Sequence, residues 1–67
     1  MSTFFEANQA RYGLKMKLVN YHWFRNAVVI TSDDGYDVLI TTSKIDNTIR
    51  KTIPQVVNGV GVKVEIE

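Results

Sequence analysis

The sequence contains no cysteine, and this absence removes several kinds of chemistry. A chain without cysteine has no disulfide bonds, no thiolate metal ligands and no cysteine nucleophile. The absence also fits a reducing compartment. Residues 1–11 have no basic-then-apolar signal architecture, so we expect a cytoplasmic protein. No segment approaches the roughly 18 consecutive apolar residues of a membrane span, so no membrane partner is predicted.

Recognisable catalytic and metal-binding motifs are also missing. The single histidine, His22, has no partner at H-x-x-H or H-E-x-x-H spacing, and no nucleophile elbow presents Ser32 or Ser43. There is no G-x-G-x-x-G, and the acidic cluster at 33–37 lacks the spacing of a calcium-binding loop. A chain this short also has little room for a pocket of several hundred Å³. We therefore expect no enzymatic activity, no cofactor, no metal and no small-molecule substrate.

The composition is that of one small globular domain spanning residues 1–67. Hydrophobic residues make up 45% of the chain and charged residues 22%, which is too apolar for disorder. The net charge is +1, but residues 1–31 carry four basic side chains against one acidic, and residues 32–67 carry four against six. An asymmetry of this kind can mark a face for a polyanion.

The N-terminal segment predicts a helix with two alternative ends. The run T-F-F-E at 3–6 has the spacing of a capping box, which marks a helix N-terminus. Gly13 could end this helix, giving a helix over 3–12 and then a strand over the alternating residues 14–19. Alternatively, one helix continues to about Val19, and we favour this because leucine, lysine and methionine form helices well.

A β-hairpin is predicted next, made of strands 22–31 and 36–42. Both runs are rich in aromatic and β-branched residues, and the S-D-D-G segment at 32–35 supplies an Asp-Gly turn signal.

A second helix and a final strand follow. Ser43 is the expected N-cap, Asp46 would lie in the first turn, and the helix should end near Ile53 because proline follows. Asn-Gly at 58–59 predicts a turn, and the alternating residues 60–66 predict a strand with one apolar face. The order α-β-β-α-β, with an extra strand if 14–19 is extended, predicts an α+β two-layer sandwich. Its antiparallel sheet would have helices on one face and the other face open.

The C-terminal half resembles small bacterial α/β domains of unknown function with a ferredoxin-like topology. The resemblance rests on Ile-Pro at 53–54, Asn-Gly at 58–59 and the valine-alternating strand at 60–64, and it covers roughly 35 residues. These are structural motifs. The resemblance therefore implies a ferredoxin-like topology but no particular activity.

The run Y-H-W-F-R at 21–25 contains the strongest candidates for a binding surface. Strand alternation would direct Phe24 and Val28 to the helices, and Tyr21, Trp23 and Arg25 to the open face. Such a surface suits a protein partner or a homodimer, because these residue types are enriched in hot spots. Single-stranded nucleic acid is the alternative partner. A third interpretation gives the run no binding role, and its side chains then simply pack in the core. The predicted surface consists of Lys15, Lys17, Tyr21, Trp23 and Arg25.

Overall fold

The computed structural model describes residues 3–33 and 35–67, which form two helices and one four-stranded sheet. The predicted α+β class is thus confirmed. The short third strand was not predicted. In chain order the elements are α1 (Phe4–Leu18), β1 (Phe24–Ser32), β2 (Gly35–Thr42), α2 (Asn47–Thr52), β3 (Val56–Val57) and β4 (Val60–Ile66).

Helix α1 begins at the predicted capping box and continues through Gly13, so the single long helix is confirmed and the strand at 14–19 is wrong. The Thr3 side chain accepts a hydrogen bond from the Glu6 amide at 3.1 Å, and Glu6 Oε1 accepts one from the Thr3 amide at 2.9 Å. Burial explains the length, because Leu14 and Leu18 extend the buried stripe that Ala7 and Ala10 begin. Burying two leucines outweighs the roughly 1 kcal/mol that a mid-helix glycine costs.

Strands β1 and β2 form the predicted antiparallel hairpin. Ser32 pairs with Gly35, so the connection comprises positions 33 and 34, of which Asp34 lies outside the described residues. Gly35 follows the connection with φ of 137°, a conformation that glycine adopts at little cost.

Helix α2 begins later than predicted. Its N-cap is Asp46, whose side chain accepts a hydrogen bond from the Ile49 amide at 2.9 Å, so the assignment of Ser43 is wrong. The Ser43 amide instead donates to the Trp23 carbonyl at 2.9 Å, which extends the pairing of the hairpin beyond β2. The predicted end of the helix at Ile53, just before the proline, is confirmed.

The sheet has the strand order β1-β2-β4-β3 and is mixed, so the prediction of an antiparallel sheet is wrong. Strand β4 runs parallel to β2, with Val38 beside Val62 and Ile40 beside Val64. The reason is that α2 is a crossover that returns the chain to the end of the sheet where β2 began. The predicted turn at 58–59 is confirmed, and it joins β3 to β4 in a hairpin with positive φ at both residues.

The core lies between the two helices and one face of the sheet, as predicted. Cross-strand partners lie on the same face of a sheet. Val29 and Ala27, the partners of the buried Val38 and Ile40, therefore lie on the face that the helices cover. Ile49 and Ile53 close the same core from the side of α2. The opposite face carries no helix. We call it the open sheet face and define it by Val28, Ile30, Asp37, Leu39, Thr41, Lys63 and Glu65.

Candidate functional site

The aromatic segment singled out in the sequence forms the connection between α1 and β1. The Tyr21 amide donates to the Leu18 carbonyl at 3.0 Å, and the Phe24 amide donates to the Tyr21 carbonyl at 3.1 Å. These bonds make a compact turn, so residues 21–23 precede the strand instead of belonging to it.

Trp23 is part of the hydrophobic core, and the expectation that its indole is displayed on the open face is wrong. Only 6% of its surface is exposed. The Tyr21 ring stacks on it with centroids 4.8 Å apart and an interplanar angle of 20°. Tyr21 itself is 44% exposed, so tyrosine covers tryptophan and presents its own outer surface to solvent.

The register of β1 explains why the predicted alternation failed. A shift in the pairing between Phe24 and Asn26 adds one residue to β1, so the alternation changes phase at Arg25. Phe24 packs against the core as predicted, and so does Ala27, three positions later. Val28 was expected in the core, but it lies on the open sheet face and is 37% exposed.

The three cations of the predicted surface are exposed, but the helix separates two of them. Lys15 and Lys17 are two positions apart on α1, a rotation of about 200° about the helix axis. Lys17 lines a groove on one flank of the helix, and Lys15 lies on the other flank. Of the five predicted residues, only Tyr21 and Trp23 have a described contact with each other.

The open sheet face has an apolar centre and a charged margin. Val28 and Leu39 are cross-strand partners, and Ile30, two residues further along β1 on the same face, is paired with Asp37. On β4, Lys63 lies beside Leu39 and Glu65 beside Thr41. The Lys63 Nζ atom is 3.8 Å from Asp37 Oδ2.

Sequence analysis did not identify this apolar centre, although a signal for it was present. The run V-V-I at 28–30 is continuously apolar, so it must place apolar residues on both faces of its strand. Strand β1 is also at the edge of the sheet, with β2 as its neighbour on one side. Apart from Arg25, it carries none of the charges that usually protect edge strands from pairing.

A groove of about 410 Å³ lies between α1 and the segment after α2, so the expectation of no sizeable concavity is wrong. Ala10, Leu14, Pro54 and Val57 contribute apolar lining, and Glu6 and Lys17 contribute charged groups. Hydrogen bonds from Thr3 lower the pKa of Glu6, because they favour the ionised carboxylate. Glu6 therefore stays ionised to a lower pH than an ordinary glutamate does.

Comparison with known proteins yields no relative: no family model, no curated protein and no solved structure matches the chain. The ferredoxin-like resemblance therefore stays a prediction.

Among the residues that the structure describes, no three acidic or histidine side chains are grouped as a metal would need. None of the described helices is both long and apolar enough to span a membrane.

Proposed function

We propose that the chain is a small, non-enzymatic binding module that recognises a protein partner through its open sheet face and acts in the cytoplasm. The observation that carries the proposal is the pairing of Val28 with Leu39 on a face that neither helix covers. The absence of cysteine supports the proposed compartment.

The apolar centre supports binding because it is contiguous. Val28, Leu39 and Ile30 occupy adjacent positions of one strand pair, so their exposed surfaces join into a single patch. Contiguous apolar patches rimmed by polar residues mark interaction sites more often than scattered apolar residues do.

The charges at the margin favour a protein over a polyanion. Lys63 is positive, whereas Asp37 and Glu65 are negative, so these three groups sum to one negative charge near neutral pH. A surface of this sign repels phosphate, whereas mixed charges around an apolar centre are typical of the rim of a protein interface.

Nucleic-acid binding through the predicted basic residues is the alternative function. The exposed outer surface of Tyr21 favours it, because one base could stack there beside Arg25. Two features reduce its support: Trp23 is buried and Lys15 and Lys17 lie on different flanks of α1.

The proposal is tested by placing a photoreactive amino acid at Val28 and irradiating the chain in a lysate of cells that naturally make it. A matched control carries the same group at Lys51, an exposed residue of α2. We expect one discrete cross-linked species from position 28 that is absent from position 51, identified by mass spectrometry. Introducing Leu39→Lys into the same chain should abolish it.

Equal cross-linking at the two positions would contradict the proposal. A cross-link to a second copy of the chain would show that the open sheet face serves self-association. The nucleic-acid alternative predicts retention of single-stranded DNA or RNA on a filter, falling steeply between about 50 and about 200 mM salt. Absence of retention at the lower concentration would remove that alternative.

A further inference from the structure

Strand β1 lies at the end of the sheet, so one side of its backbone has no neighbouring strand. Ser32 and Gly35 close a two-residue connection and therefore exchange both hydrogen bonds of their pair. Such pairs recur at every second residue of an antiparallel ladder, which places the ladder bonds of Ile30 on the β2 side as well. The amides and carbonyls of Val29 and Thr31 therefore point to the opposite side, which we call the free edge.

A side-chain hydrogen bond agrees with this assignment. Ala27 belongs to the same alternating series as Val29 and Thr31, and its amide donates to Asn26 Oδ1 at 2.9 Å instead of to β2. In the part of the chain that the structure describes, no strand pairs with Val29 or Thr31 on the free edge. An unpaired edge of this kind can bind an extended chain, because the added strand completes the main-chain hydrogen bonds.

A groove of about 380 Å³ lies between the free edge and helix α1. It is lined by residues 27–29 of the strand and by Phe4, Asn8 and Arg11 of the helix. A strand added to β1 would direct alternate side chains into this groove, and the others would continue the open sheet face. Phe4 is 56% exposed, so an apolar side chain in the groove would cover part of its ring.

Arg11 provides the groove with a positive charge in a defined position. Its Nε atom donates to Asn8 Oδ1 at 3.0 Å, which orients the guanidinium. Among the residues that the structure describes, no carboxylate lies within ion-pair distance of Arg11. The two terminal NH2 groups of a guanidinium suit a carboxylate, which can accept two parallel hydrogen bonds from it.

The surroundings of the groove are positive as well. Lys15 follows Arg11 by one turn on the same side of α1, and Arg25 belongs to β1 itself. The described residues 3–33 include two acids, but Glu6 lies on the opposite flank of α1 and Asp33 lies in the hairpin connection. This charge distribution favours an acidic occupant.

The backbone of the free edge selects a protein segment among acidic occupants. It offers carbonyl acceptors as well as amide donors, and an extended peptide can satisfy both. Phosphate groups only accept hydrogen bonds, so a nucleic acid would leave the carbonyls without donors. A second copy of β1 fits less well, because residues 24–32 contain no carboxylate for Arg11.

We propose that the free edge of β1 binds an extended acidic segment of a partner protein as a fifth strand, with one of its carboxylates held by Arg11. The site consists of the backbone of β1 and the adjoining side of α1. It therefore does not depend on the function proposed for the open sheet face.

NMR titration with a defined peptide tests the site. The terminally blocked peptide T-V-T-E-T-V-T directs valine, glutamate and valine to one side when it is extended, and the glutamate is its only charge. It should shift the amide signals of Val29 and Thr31 and slow the exchange of these amides with solvent. The same peptide with lysine in place of glutamate should not bind. The proposal is overturned by the absence of shifts at both amides up to millimolar peptide, or by equal binding of the lysine peptide.

A charge reversal tests the role of Arg11. Arg11→Glu should weaken binding of the glutamate peptide at least about tenfold and should allow the lysine peptide to bind. Lys17→Glu makes the same charge change on the opposite flank of α1 and should alter neither, and circular dichroism checks that both variants fold. Leu39→Lys on the open sheet face should also leave binding unchanged. Loss of binding in Leu39→Lys but not in Arg11→Glu would move the peptide to the open sheet face and overturn the proposal.

Methylated peptides test the strand pairing without altering the protein. Methylation of alternate backbone nitrogens removes the donors on one edge of the extended peptide, and the complementary pattern removes those on the other edge. One pattern should abolish binding and the other should preserve it. Equal effects of the two patterns would show that the peptide does not add to β1 as a strand.

Two competing occupants give distinct results in the same NMR experiment. Single-stranded oligothymidylate that shifts Val29 and Thr31 and displaces the glutamate peptide would assign the free edge to nucleic acid. Shifts of these two amides that depend on protein concentration, with no peptide added, would assign it to a second copy of the chain. Either result would overturn the proposal.

Discussion

Replacing Gly13 with alanine is expected to stabilise the fold, because the helix continues through this residue without needing a glycine. Apart from its chain neighbours and the backbone of the helix itself, no heavy atom lies within 4 Å of the position that an added Cβ would occupy. A glycine in the middle of a helix costs roughly 0.5–1 kcal/mol relative to alanine, and the substitution should recover that amount. For a domain of this size the gain corresponds to a rise in Tm of about 2–8 °C.

Thermal and urea unfolding followed by circular dichroism measure the effect, and Gly59 offers a matched control. An added Cβ at Gly59 also meets nothing within 4 Å, but the residue has φ of +82°. Gly59→Ala should therefore destabilise the chain by about 1–2 kcal/mol despite the available space. If Gly13→Ala lowers the free energy of unfolding, the helix tolerates no side chain there and the reasoning is refuted.

Four further substitutions test the core and the caps. Trp23→Ala should unfold the chain, because its cost of about 3–5 kcal/mol equals the stability expected of so small a core. Tyr21→Ala should remove the stacking contribution of about 0.5–1.5 kcal/mol and the apolar contact that covers Trp23, a smaller loss than that of Trp23→Ala, and urea titration compares the two. Asp46→Ala should cost about 1 kcal/mol through loss of the α2 cap, measured in the same way. The capping box lowers the pKa of Glu6 from its ordinary value of 4.5, so the stability it contributes is present above pH 4.5 and is lost as the pH falls through the lowered pKa. Titration of Glu6 by NMR should show its pKa returning towards the ordinary value in Thr3→Ala, and an unchanged pKa would contradict the assignment.

Elements that depend on local signals were predicted well from the sequence. The capping box at 3–6, the hairpin and the Asn-Gly turn at 58–59 each arise from a few neighbouring residues. Between the two predicted lengths of the first helix, the longer one was favoured because leucine, lysine and methionine form helices well, and the buried residues on both sides of Gly13 agree with it.

The errors concern contacts between residues far apart in the chain. Ser43 and Asp46 are both good capping residues, and the choice depended on a bond from the Ser43 amide to Trp23, twenty positions earlier. The extra residue in β1 is visible only once Phe24 and Asn26 are paired with β2, so the face of Val28 was predicted wrongly. The parallel pairing of β4 could have been inferred, because a helix between two strands usually makes them parallel.

The side of α1 that faces solvent and the open sheet face point in opposite directions, because the helix rests on one side of the sheet. A fluorescent label or an immobilising tag attached on that side of α1 would therefore leave the open sheet face accessible in a binding measurement.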